Sequence, residues 1–203
     1  MDDSFIHPTA DFAKSAQIGK NSKVWSNSQI CEETYIGDDV TIGRNVYIGP
    51  GTHIGNNCKI QNNALIYEPA ILEDGVFIGP AVILTNDKFP RAINPDGSSK
   101  LKSDWDCVGV KIKRGASIGA RVVCVAPIEI GEWALVAAGS TVISDIPNYA
   151  LVAGAPAQKI AWVGKEGYPL KDVGNRKFLC PKSGDLYEEL SDGNLVEFRG
   201  NIS

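Results

Sequence analysis

One position in six decides what this chain can fold into. Read in steps of six from Ile6, the chain shows Ile6, Phe12, Ile18, Val24, Ile30, Ile36, Ile42, Ile48, Ile54, Ile60, Ile66, Leu72, Ile78 and Leu84, an apolar side chain at every step. With 43% hydrophobic residues overall, chance would give such a run about once in a hundred thousand trials, so a repeat of this kind has to be read before any local propensity. Two residues before each of these stands a small or β-branched residue, such as Ser22, Ser28, Thr34, Val40, Cys58, Ala64 and Ala70. Two inward positions per hexad, two residues apart, describe a very short strand with one buried face.

A period of six is neither helical nor that of a hairpin, so the strands must alternate with tight corners. Three residues after the aliphatic positions come Asn21, Asn27, Asp39, Asn45, Gly51, Asn57, Asn63 and Gly75. These are residue types that tolerate the left-handed backbone region. Gly follows the aliphatic directly at 19, 37, 43, 49, 55, 79, 119 and 131.

The rhythm stops after Leu84 and resumes at Ile112, Ile118, Cys124, Ile130, Val136 and Val142. Leu84 and Ile112 are 28 positions apart, and one regular step accounts for six, so 22 residues are extra; periodicity places them at 85–106. A loop of that length in a compact domain is usually functional or disordered, and its place in the repeat favours the functional reading. Past Pro147 the period is lost. The segment 147–203 contains a Gly-Ala-Pro-Ala turn at 154–157 and a polar tail in which RKFLC, DLYEEL and NLVEF read as short strands joined by KSG and SDG turns.

This pattern resembles the hexapeptide-repeat acyltransferase family, over residues 6 to 146 and again in the G-A-P-A segment. The resemblance implies an all-β fold, a left-handed parallel β-helix of three hexads per coil. Twenty hexads make about seven coils, roughly 30 Å tall at a strand spacing of ~4.8 Å. It also implies a homotrimer with sites between subunits and acetyl-CoA as co-substrate. The segment T-N-D-x-x-P-R at 85–91, preceded by KIQNN and Tyr67, is similar to the branch that N-acetylates nucleotide-linked (UDP or TDP) 3-amino sugars for surface polysaccharide biosynthesis.

By that resemblance Asn86 is the catalytic residue. Its amide carbonyl can fix an amine within attacking distance although it cannot act as a base. Asp87, Arg91, Gln61, Asn63, Tyr67 and Glu68 are the substrate-binding candidates, and Lys159, Ala137 and Ala155 the coenzyme A contacts. Structural alternatives stand beside these roles. Asn86 and Asp87 also suit a capped turn opening a loop, Asn63 belongs to a corner ladder with Asn27 and Asn45, Glu68 suits a solvated edge, and Arg91 suits a loop surface.

The remaining composition narrows the function. A net charge of -4 without a Lys/Arg block argues against nucleic acid as partner. The start MDDSFIHPTADF lacks a basic, apolar leader and no window offers a membrane span, which leads us to expect a cytoplasmic protein. Five cysteines without CxxC spacing and two histidines suggest neither a disulfide framework nor a metal site. Histidine is the usual base when a hydroxyl is acylated in this family, and the 22-residue segment has none, which points toward an amine acceptor. An amine with a conjugate-acid pKa near ~8 is partly neutral at physiological pH. An O-acetyltransferase and a non-catalytic β-helix are the two rival readings.

Overall fold

The computed structural model describes residues 4–198. Each hexad forms a two-residue strand ending on its aliphatic residue, as in Lys23–Val24, Leu65–Ile66 and Ile83–Leu84. These strands stack into three parallel sheets. The first runs from Phe5–Ile6 up to Leu135–Val136, the second from Asp11–Phe12 to Thr141–Val142, and the third from Gln17–Ile18 to Ile128–Ile130. Outside the loop, neighbours in a sheet are 18 residues apart, so Leu65 pairs with Ile83 and Ile66 with Leu84. Three hexads therefore close one coil.

The core follows from the two inward positions. From Val24 to Val142 the aliphatic positions are at most 1% exposed, and the small partners between them are equally enclosed. At two of the hydroxylic partners the side chain donates to the coil above, Ser22 Oγ to the Gly37 carbonyl and Ser28 Oγ to that of Gly43. That bond removes the cost of burying the hydroxyl. All eight corner residues expected in the left-handed region have φ between 55° and 70°. Glu33, Ala81, Arg121 and Trp133 adopt it as well. Their residue types gave no such signal, so the closed coil imposes the conformation there.

The ladder outlasts the rhythm. Although the period ends at Ile146, that residue still bridges Ile130 in parallel, and Ala150–Gly154 adds a parallel strand on Leu135–Val136. Ala157–Trp162 then returns antiparallel. Seven coils are complete and an eighth has begun. The tail adds Lys171–Gly174, a strand not expected from sequence, to Lys177–Leu179, Leu186–Glu189 and Leu195–Phe198 in a four-stranded antiparallel sheet. Tyr187 anchors this sheet: it is fully buried, edge-on to Tyr149, and its hydroxyl accepts the Lys165 amide N–H at 3.2 Å. At the other end Phe5 and Ile6 are 40% and 37% exposed.

The loop is 22 residues long, but it leaves the coil two residues later than counting suggests. Thr85 keeps its ladder place, its N–H donating to the Cys124 carbonyl and its hydroxyl accepting the Ala126 N–H, both at 3.0 Å. The neck closes where the Val108 N–H donates to the Asn86 carbonyl at 3.1 Å. Gly109 lies against Pro69, where a Cβ would stand 2.6 Å from the proline carbonyl. The ejected segment is thus 87–108, not 85–106; a periodic count gives the length of an insertion and leaves its exit point free. No helix among the described residues is long and apolar enough to cross a membrane.

Candidate functional site

The corner between the second and third sheets carries the densest chemistry. Parallel register puts Thr85 directly above Tyr67 and Asn86 above Glu68, about 5 Å apart. Asn86, Tyr67 and Glu68 are all half-buried. Cys107 descends from the end of the loop, its thiol donating to the Glu68 carbonyl at 3.5 Å. Burial and then the Glu68 charge push that thiol above its ordinary range, so it is a neutral donor at physiological pH and not a thiolate nucleophile. Below, the Tyr67 ring leans on Tyr47 at 5.1 Å. Burial and a hydrogen bond with Cys31 raise the Tyr47 phenol. One oxygen of Glu68, Oε2, is enclosed without a hydrogen-bond partner.

The loop encloses an open cavity of about 420 Å³ whose lining includes Asp87, Lys88, Phe89, Trp105, Val108 and Pro127. Asp87 does cap a turn, its Oδ1 accepting the Phe89 N–H at 2.8 Å, while it also lines the cavity. Arg91 is exposed and its guanidinium donates to the Pro90 carbonyl at 2.8 Å, away from that lining. Phe89, Ile93 and Leu101 stand 75%, 56% and 65% exposed on the loop crest.

The other predicted residues lie on a different edge, between the first and second sheets. Gln61 lines a shallow cavity of about 270 Å³ with Trp25, Gly43, Arg44 and Asn62. Asn63 has φ 63° and accepts the Asn45 side-chain N–H at 3.1 Å, which is the corner-ladder role. Above Gln61 the first corner position is Gly79, then Gly119, Ala137 and Ala153, each stacked on the last by the register of Ile78, Ile118, Val136 and Val152. No side chain longer than a methyl interrupts that line. Ala155 lies at its top, in the exposed turn between the last two strands of the sheet. Lys159 sits 3.7 Å from Glu189 and 3.7 Å from the Trp162 ring centroid. Within one chain, then, Asn86, Asp87, Tyr67 and Glu68 come together, whereas Gln61, Asn63, Ala137 and Ala155 occupy the opposite edge of the second sheet.

Neither histidine is near the loop corner. His53 stacks flat on Tyr35 at 4.7 Å on the third sheet, and His7 bonds Thr9 at the first coil. Among the described residues no group of three or more His, Cys, Asp or Glu is arranged to hold a metal. Trp133 packs on Gly115, where a Cβ would meet its ring at 2.5 Å. Cys107, Tyr47 and Cys31 are the neighbours that sequence reading missed; only coil-by-coil stacking reveals the last two, and nothing in the sequence reveals Cys107.

The model of bacterial transferase hexapeptide repeats matches residues 26–56, 33–68 and 51–86, and that of the hexapeptide repeat of succinyl-transferase matches 109–144. The matches stop and restart at the two sides of the loop. Residues 26–86 and 109–144 thus carry the hexapeptide repeats of bacterial transferases. Among curated relatives, a dTDP-3-amino-3,6-dideoxy-alpha-D-galactopyranose 3-N-acetyltransferase of Aneurinibacillus thermoaerophilus is 49% identical over 65 residues, 32% of this chain and 34% of its own. Serine acetyltransferase 4 of Arabidopsis thaliana is 32% identical over 125 residues, 60% of this chain and 34% of its own. The chain spans about a third or less of the length of the first curated relatives it matches. Among solved structures, LpxA, a UDP-N-acetylglucosamine acyltransferase from Bacteroides fragilis, superposes with a TM-score of 0.62 at 19% identity, covering 78% of this chain and 61% of its own. That likeness is one of fold.

Proposed function

We propose that this protein transfers acetyl from acetyl-CoA to the amine of a nucleotide-linked 3-amino sugar, in a groove between subunits of a homotrimer. The observation that carries this reading is Asn86, half-buried at the neck of the loop and stacked over Glu68 within the T-N-D-x-x-P-R segment. The Aneurinibacillus relative supports the acceptor class.

Two further features support a site shared between subunits. The outward side of the second sheet carries Tyr47, Leu65, Ile83 and Val123 in one register line, an apolar stripe suited to cover by a neighbour. A threefold arrangement around that stripe would bring one subunit's smooth edge against the next subunit's loop corner, and the exposed Phe89, Ile93 and Leu101 would gain a partner. The line from Gly79 to Ala153 suits the linear thioester arm, for which no bulk has to move.

In this reaction the Asn86 carbonyl orients the amine toward the thioester carbonyl carbon. A C–N bond forms, the C–S bond breaks, and the departing thiolate takes the proton lost from nitrogen. Orientation of this kind is worth several kcal/mol. Arg91 would meet phosphate or a sugar carboxylate, since its fork suits bidentate anions. Lys159 would exchange Glu189 for a coenzyme A phosphate.

The test combines light scattering with a thiol-release assay over UDP- and TDP-linked amino sugars and their hydroxyl counterparts. A mass of three chains and release with 3-amino sugars alone are expected. Release with hydroxyl acceptors would favour O-acetylation, the chemistry that the serine acetyltransferase relative suggests. Failure to bind acetyl-CoA in calorimetry would make the protein a non-catalytic module.

A further inference from the structure

The third corner of the prism, between the third and first sheets, carries no residue of the reaction above. Its left-handed position climbs coil by coil through Asn57, Gly75, Gly115, Trp133 and Tyr149. Asparagine and glycine meet that backbone at little cost. Trp133 and Tyr149, at φ 57° and 60°, are the two aromatics with positive φ among the described residues, and a bulky side chain there is an outlier. Tyr149 has a packing reason, since it is buried against Tyr187. Trp133 is only half-buried, and backbone strain of this kind collects at sites of function.

The Trp133 ring is seated on the coil below. A Cβ on Gly115 would meet the indole Cε3, Cδ2 and Cζ3 at 2.5–2.7 Å, so the ring rests on bare backbone. Its nearby cation does not cap it. Lys159 closes to 3.7 Å from the Trp162 centroid, whereas Lys165 stays 5.7 Å from that of Trp133, drawn to Glu197, with which it pairs. The ring lines an open cavity of about 450 Å³ together with Arg114, Glu132, Asn148, Lys165 and Glu197. That volume falls within the about 300–1,000 Å³ of small-molecule sites. The tail supplies one wall through the strand Leu195–Phe198, tied to the corner where the Tyr149 hydroxyl donates to Glu197 at 3.4 Å.

The charges of this lining balance, two cations against two carboxylates. Register places Glu132 one coil above Arg114, yet none of the ion pairs among the described residues involves either. A phosphate here would meet two carboxylates and an ammonium would meet two cations. An uncharged ligand rich in hydroxyls finds donors and acceptors alike. The corner also lies opposite the second sheet, so a neighbour covering the apolar stripe of that sheet leaves it open.

We propose that this corner is a second, non-catalytic binding site, which takes an uncharged sugar ring. The apolar C–H face of a pyranose lies on the Trp133 indole, Arg114 and Lys165 donate to its hydroxyls, and Glu132 and Glu197 accept from them. No bond is made or broken there. The site holds whichever acceptor Asn86 serves.

The test is saturation-transfer NMR on the full chain, with glucose, N-acetylglucosamine and their β-1,4-linked trimers as probes beside glucuronate and adenosine monophosphate. Wild type should pass saturation to the ring protons of at least one neutral sugar. Trp133→Asn installs the residue that this corner already carries at Asn57, so its thermal midpoint should match or exceed wild type while affinity for that sugar falls about tenfold. Trp133→Leu, which keeps apolar bulk without a flat face, should lose as much. Arg114→Gln should weaken binding about threefold, and Asn86→Ala should leave it unchanged. The proposal is overturned if no neutral sugar receives saturation, or if both Trp133 variants bind as tightly as wild type. It is equally overturned if adenosine monophosphate or glucuronate is the probe that depends on Trp133. A sugar signal that Asn86→Ala abolishes belongs to the loop corner and overturns it too.

Discussion

The two edges that flank the second sheet are built from the same hexad and cover the same core, yet they differ in every other respect. The edge above Gln61 is bare, with Gly79, Gly119, Ala137 and Ala153 in line. The edge on the other side carries Tyr67, Glu68, Asn86, Cys107 and the ejected loop. Two inward residues per hexad satisfy the core, so the corner positions are free to be empty or furnished without loss of the fold. Chemistry in such a molecule resides in departures from the corner rule.

Removing the furniture is the severest way to break this contrast. Deleting 87–108 joins Asn86 to Gly109 and leaves Thr85-Asn86-Gly109 as a regular three-residue corner. Thermal unfolding followed by circular dichroism should then shift by only a few degrees, because shortening an exposed loop changes closure entropy little, while amino-sugar turnover should disappear. Asn86→Ala is narrower. Thiol release should fall about 100-fold with acetyl-CoA binding unchanged, since positioning alone is lost. On the bare edge Ala137→Phe should act in the opposite sense, raising KM for acetyl-CoA about tenfold and leaving acceptor KM near wild type. Were Ala137→Phe to impair the acceptor and spare the donor, the division of labour between the edges would be reversed.

The smallest effect concerns a patch outside both edges. On the third sheet Glu129 sits 2.5 Å from Lys113 and 3.5 Å from Lys111, and hydrogen bonding to Lys113 depresses its carboxyl below the ordinary value of 4.5. A depressed carboxylate stabilises the fold above its unfolded pKa and loses that contribution as pH falls through the folded one. Glu129→Gln should therefore lower stability at pH 7 and not below the depressed value. With both partners partly solvated, the difference in chemical denaturation should be under about 1 kcal/mol.

Most of the fold was legible because a period of six admits one geometry: two inward positions and a corner. Asn21, Asp39 and Asn57 announced their corners by residue type, whereas Glu33, Arg121 and Trp133 could not, since closure of the coil forces them there. The loop's length was countable, but its exit at Asp87 instead of Thr85 depended on the Val108–Asn86 hydrogen bond, which no spacing encodes. Stacking by 18 residues puts Asn86 over Glu68. The same arithmetic places Gln61 and Asn63 on the other edge, a separation hidden when the candidates are read as one linear segment.

The two ends of the prism are unequal, and this gives the molecule a direction. The last coil lies against a separate sheet through Tyr187 and Tyr149, whereas the first leaves Phe5 and Ile6 partly in water. In a solenoid each coil is held mainly by its neighbours, so local opening has its lowest threshold at the coil whose Phe5 and Ile6 are partly exposed. Amide hydrogen exchange should then run as a gradient, fastest around residues 5–18 and slowest toward the loop coil. The candidate site, four coils from the open end, sits where the stack is already quiet.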